Sequence, residues 1–246
     1  MKVLLCISLF LSLSLLHANT PEIAGPLTGD VRANQVTLWM YAPIKSKCTF
    51  SYRVEGSSKA DAKTGELTAL SNQAAKVPGQ ILKSTVVGLS PDTRYQYQVT
   101  IDGKADPSWK GSFKTAPLEG TPTAFRMAIT SCMHIKRAQR SWNLLHAEQP
   151  DLHLTVGDTH YADTTDPTIQ LQHHLAYRRK KEFANVLRQV PTYAIWDDHD
   201  FGPNDSNSSF IYKGETLKMF QRYWANGVYG TPEVGGIFRV VSLNDA

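Results

Sequence analysis

The sequence predicts an α/β protein built in two parts, an N-terminal β-sandwich followed by a layered unit of strands and helices. Three observations carry this. Short alternating strands recur over residues 22–118. From Phe125 the pattern switches to strand, helix, strand, helix, strand. Each strand of that second part then ends in Cys, Asp, Tyr or His. A chain of 246 residues has room for two modest domains.

The chain opens with Lys2 before the apolar run Val3–Leu16, and His17-Ala18-Asn19 follows. A charged start, an apolar middle and a small exit residue predict a signal peptide over residues 1–18 and an exported chain, secreted or periplasmic. A membrane anchor would need an apolar run of about 20 residues, and no other stretch in the sequence offers one. Cys6 would leave with the leader, so Cys48 and Cys132 remain. An oxidising compartment permits a bridge between them, and the sequence alone does not establish one.

In the first part, Val36–Met40, Cys48–Val54, Leu82–Val87 and Tyr95–Val99 read as strands, and Phe113 lies on a further, last one. Tyr95–Val99 alternates cleanly into the turn Asp102-Gly103. The stretch Leu89-Ser90-Pro91-Asp92-Thr93-Arg94-Tyr95 resembles the corner of fibronectin type III-like domains, in which a Tyr hydroxyl bonds back to the upstream backbone. No catalytic cluster shows here, so packing or binding is the expected role. Pro and Gly near Ala116–Pro122 mark the boundary to a second domain over residues 123–246.

In the second part, strands are expected at Phe125–Thr130, Leu152–Val156 and Tyr193–Trp196. Helices are expected at Ala138–Glu148, as one long segment at Thr168–Gln189, and at Glu215–Asn226 with Gly227 as its stop. Ile237–Leu243 starts a further strand. The run Arg178–Lys181 and the pair His173-His174 read as solvated helix surface, and His153 as structural. A net charge of +4 with 20% charged residues is ordinary. No basic stripe with interleaved aromatics suggests nucleic acid as a partner.

The second part is organised around Pro191–Asn204. A buried strand ends there in Asp197, Asp198, His199 and Asp200, with Asp205 close behind. Two unit charges about 4 Å apart repel by ~4 kcal/mol at an effective dielectric of about 20. A metal cation relieves that repulsion, and oxygen and imidazole ligands suit one. A solvated acidic loop is the alternative. Two more strands point the same way: one ends in Ser131-Cys132-Met133-His134, the other in Gly157-Asp158-Thr159-His160-Tyr161-Ala162-Asp163. Sites in open α/β sheets form beyond the carboxyl ends of strands, and neighbouring strands lie about 4.8 Å apart, so these groups can converge.

Ser131-Cys132, Gly157-Asp158 with Tyr161 three residues on, Trp196-Asp197-Asp198-His199-Asp200, and Tyr223-Trp224-Ala225-Asn226 with Tyr229-Gly230 together resemble the PhoD-like (alkaline phosphatase D) branch of the metallophosphoesterases. The resemblance implies a fibronectin III/Ig-like sandwich followed by a partial metallophosphoesterase α/β domain, a β-sandwich with flanking helices. It implies Fe3+ and Ca2+, with Cys132, Asp158 and Tyr161 as iron ligands and Asp158 bridging to calcium. Asp198 takes the place where the superfamily usually has a ligand Asn. His199 takes the place of the catalytic, phosphate-facing His, and Asn204 offers an amide to the substrate phosphate or a metal. His134 and His160 are not expected as ligands.

The implied activity is hydrolysis of a small-molecule or phospholipid-type phosphoester by in-line attack of a metal-held water or oxide. Relatives continue past the position of Ala246, so a truncated chain is expected. A non-catalytic remnant acting as a β-sandwich binding module is the second functional reading.

Overall fold

The computed structural model describes residues 23–70 and 77–242; the leader expected over residues 1–18 lies outside them. Among the described residues the first part holds eight strands: β1 (Ala24–Arg32), β2 (Gln35–Pro43), β3 (Cys48–Val54), β4 (Lys63–Glu66), β5 (Thr68–Ala69), β6 (Gly79–Val87), β7 (Arg94–Ile101) and β8 (Lys104–Lys114). They form two antiparallel four-stranded sheets, ordered β1-β2-β6-β5 and β4-β3-β7-β8. Val36, Leu38 and Met40 of β2 meet Phe50, Tyr95, Val99 and Phe113 in the core between them. The tyrosine corner is formed as expected: Tyr95 Oη accepts from the Ser90 N–H at 2.8 Å.

The opposite face of β2 is dry as well. Leu27, Trp39, Tyr41 and Ile81 belong to a second core, shared with the helices of the second part. This explains why β2 reads as a continuous apolar run rather than an alternating one: both of its faces are covered.

The second part carries β9 (Met127–Thr130), β10 (Leu152–Val156) and β11 (Thr192–Ile195) in a parallel sheet ordered β11-β10-β9. Helices α1 (Arg140–Glu148), α2 (Pro167–Arg178), α3 (Lys181–Gln189), α4 (Asp198–Phe201) and α5 (Lys213–Tyr223) complete it. One face of the sheet is backed by Trp142, Phe183 and the buried His153; the other leaves Met127, Ile129 and Ile195 exposed. No helix of the described residues is long and apolar enough to cross a membrane.

Several expectations are corrected here. The long helix over Thr168–Gln189 is two helices, broken at Arg179-Lys180, where Lys180 is extended. Leu175 and Phe183 are eight residues apart, so a continuous helix would set them roughly 80° apart around its axis. The break re-aims Phe183, Val186 and Leu187 into the core. Arg178 is not a surface residue but 1% exposed, and His174 is buried too.

Helix α5 ends at Tyr223, ahead of Gly227, because other elements take its last carbonyls. Trp39 Nε1 donates to Arg222 O at 2.9 Å, Arg178 Nη2 to Tyr223 O, and Lys83 Nζ to Gln221 O and Trp224 O. Residues 237–242 form no strand. Arg239 is instead held by Asp30 Oδ1 at 2.6 Å and lies over the Tyr193 ring. Cys48, buried in the sandwich core, and Cys132 are both free thiols, so the bridge between them is not formed.

Candidate metal centre

The three parallel strands end level. Thr130 pairs with Thr155, and Val156 with Ile195, so their exits open side by side. Gly157 (φ 99°) lets the chain leave β10 against the exit of β11; a Cβ there would lie 2.4 Å from the Asp197 nitrogen. Cys132 (φ 55°), Asp158 (φ 54°), Tyr161 (φ 48°) and Asp163 (φ 50°) all take left-handed backbone. Non-glycine residues there cost on the order of 1 kcal/mol or more each, and such strain gathers at functional sites.

Asp158 stands at the middle of the cluster and is 8% exposed. Its Oδ2 accepts from the Tyr161 hydroxyl at 3.0 Å and lies 3.5 Å from Cys132 Sγ. Its Oδ1 is buried with no hydrogen-bond partner among the described residues. An unpaired buried carboxylate oxygen costs several kcal/mol, which a bound cation offsets. Asp158, Asp198 and His199 each offer a ligand atom, all within 4.8 Å of one another. A thiol, a phenol, an imidazole and two carboxylates thus fit a pair of hard or borderline cations.

Asp198 opens α4, capped by Asp197, whose Oδ1 accepts the Asp198 N–H at 2.9 Å. Asp198 Oδ2 accepts the Asp205 N–H at 2.6 Å, a bond that holds the carboxyl below its usual range. Tyr161 has its ring between His134 (4.9 Å) and His199 (4.3 Å). Burial, then the hydrogen bond and charge of Asp158, push its phenol well above its usual value. Asn204 is exposed, and its amide donates to Asp205 Oδ2 at 2.7 Å, next to the Asp205 N–H that Asp198 accepts.

Asp163 and Asp200 received no individual role from the sequence, and both have a clear place. Asp163 Oδ1 meets His199 Nδ1 at 2.5 Å. Burial alone would lower His199, but the hydrogen bond and charge of Asp163, with Asp158 and Asp198 beyond, hold it above the usual histidine range. Asp200 Oδ1 accepts from Thr159 N at 3.0 Å and its Oδ2 from Asp197 N at 3.3 Å, tying the β10 and β11 exits together. Burial raises Asp200 to about 7, against those bonds.

His160 Nε2 lies 3.3 Å from Asp200 Oδ1, and burial lowers His160 to about 3, so the ring is neutral and the contact is not an ion pair. The His160 ring packs 4.2 Å from His174, and His160 is not one of the three residues whose ligand atoms cluster. The one available signal for Asp163 and Asp200 was their place in the two strand-exit strings.

No protein-family profile and no curated protein matches this sequence. Solved structures that share its fold include PhoD and a purple acid phosphatase. The structure of PhoD superposes with a TM-score of 0.68 at 15% identity, covering 91% of this chain and 49% of that one. The purple acid phosphatase PPD1 from yellow lupin (Lupinus luteus) seeds superposes with a TM-score of 0.62 at 14% identity, covering 83% of this chain and 40% of that one. The chain has a PhoD-like fold and spans about half the length of PhoD and two fifths of the lupin enzyme.

Proposed function

We propose that this chain is the metal-binding part of an exported phosphoester hydrolase of the PhoD-like type. The observation that carries the reading is the orphaned Oδ1 of Asp158, set among Cys132, Tyr161, Asp198 and His199. Cys132, Tyr161 and Asp158 would hold a trivalent iron, since thiolate and phenolate suit it. Asp158 would also reach a calcium held with Asp198. Bound there, the cations would supply an activated water and neutralise charge gathering on the phosphoryl oxygens.

The protein's own groups do the rest. Asp163 takes His199 Nδ1, which leaves Nε2 to meet a phosphoryl or leaving-group oxygen. A histidine held above its usual range by Asp163 can donate a hydrogen bond to that oxygen, or its proton to a departing alkoxide. Asp200 holds the two strand exits at fixed separation, so the carboxylates of Asp158 and Asp198 meet the ligand in one geometry. Cys132 and Tyr161 must shed their protons to bind metal, so loading releases protons.

Chelation followed by re-addition of ferric and calcium ions tests this. Hydrolysis of p-nitrophenyl phosphate or bis-p-nitrophenyl phosphate should vanish on stripping and return on reloading. Turnover that ignores the chelator would overturn the reading. Absence of turnover with metal bound would favour a non-catalytic binding module instead.

A further inference from the structure

A cavity of about 680 Å³ adjoins the candidate centre and shares Asp198 with it as a wall. Its volume falls in the usual range of small-molecule sites, about 300–1,000 Å³. Its apolar side is Trp196, Phe201 and Leu217. The Trp196 ring is fixed in place, 5.1 Å from Phe201 and 5.3 Å, edge on, from Phe220. Phe201 is in turn braced by Phe210 at 5.5 Å. A rigid aromatic wall offers contact area at little cost in side-chain ordering. The rest of the lining is polar or glycine, and in it Lys213 Nζ donates to Ser208 O at 2.9 Å, tying the loop before α5 to that helix.

The geometry points to a leaving-group pocket that selects phosphoesters of aromatic alcohols: the phosphoryl group at Asp158, Asp198 and His199, and the aromatic ring against Trp196 and Phe201. This rests on the phosphoesterase reading. A plain alkyl ester would leave the pocket unfilled, with the aromatic wall wet.

The test uses the metal-loaded full chain and two non-hydrolysable probes, phenylphosphonate and methylphosphonate, with binding read by calorimetry. Hydrolysis of phenyl phosphate and methyl phosphate is followed in parallel. Gly214 lines the cavity, and a Cβ added there meets nothing within 4 Å, so Gly214→Phe adds a ring at the cavity wall without a backbone clash. The wild type should prefer the phenyl probe by about tenfold or more, the scale of a filled against an empty apolar pocket. Gly214→Phe should erase that preference and leave methylphosphonate binding unchanged. Leu217→Ala, which shortens the apolar wall, should reduce it by about threefold or more.

Equal binding of the two phosphonates by the wild type overturns the pocket and leaves the phosphoesterase reading standing. A phenyl preference untouched by both variants does the same. Failure of both phosphonates to bind, together with no hydrolysis of either ester, overturns the phosphoesterase reading and the pocket with it.

Discussion

His199 and Asp163 show what one contact contributes at the scale of a residue. The 2.5 Å approach of Asp163 Oδ1 fixes which ring nitrogen of His199 is occupied and favours the charged ring. Asp163→Asn keeps the shape and removes the charge. On the proposed function, turnover should fall by about 100-fold, the usual scale of a misassigned acid or base, with KM nearly unchanged. The sign of the pH effect follows from the direction of the shift. Asp163 raises His199, so its loss lowers the pH at which His199 gives up its proton. The alkaline limb of the pH–rate profile should therefore move to lower pH. A variant with reduced rate but an unmoved alkaline limb would assign Asp163 a purely structural part. The strain at Cys132, Asp158 and Tyr161 belongs to this scale too, since each side chain reaches the cluster only from left-handed backbone.

Among the elements, the joint between the sandwich and α5 is the most telling. The Arg178 guanidinium lies 4.3 Å from the Trp39 ring and 4.7 Å from Trp224, and donates to Tyr223 O. Burial lowers it to about 9, yet it stays charged at neutral pH. The negative end of α5 and two aromatic faces offset its lost hydration. Arg178→Lys keeps the charge but not the flat group that fits between two rings. It should cost about 2 kcal/mol or more in urea unfolding, and Arg178→Ala about 3 kcal/mol or more. A lysine variant as stable as the wild type would refute the stacking account. Nothing local announced this role: Arg178 opens a basic run, and its partners lie at Trp39 and Trp224, far off in sequence. The same distance hid His174, the break after α2 and the side-chain capping that ends α5. The strands β3, β7, β10 and β11 were legible because their period and their turn residues are local. So were the strand exits, where an apolar run stops abruptly in Cys, Asp, Tyr or His.

Across the whole molecule, the sandwich and the α/β layer share one core, in which Leu27, Trp39 and Ile81 pack with Leu171, Phe183 and Trp224. Any titration that loosens the second part therefore loosens the first. His153, held between Thr130 Oγ1 at 2.8 Å and Thr192 Oγ1 at 3.2 Å, is lowered by burial to about 3. His160 is lowered to about 3 as well, and His174 lies well below its ordinary value, burial again the leading cause. Each has a folded pKa below its unfolded value of 6.5. Between those values the unfolded chain binds the proton and the folded chain does not. Stability is therefore full above pH 6.5 and drains away as pH falls below it. Asp200 works the other way: raised to about 7, it takes a proton in the folded state over the same range. Raised His199 also takes its proton earlier in the folded state, so three groups stand against two and still leave a net loss on acidification, at about 1.4 kcal/mol per pH unit for each uncompensated site. In metal-free protein, the urea midpoint should drop between pH 7 and pH 5. His153→Asn, which removes one proton-accepting site outside the cluster of candidate ligands, should flatten that drop by roughly a third of the gross histidine contribution. A midpoint that holds steady to pH 5, or a slope that His153→Asn leaves unchanged, would mean that these buried rings do not set the acid limit of the fold.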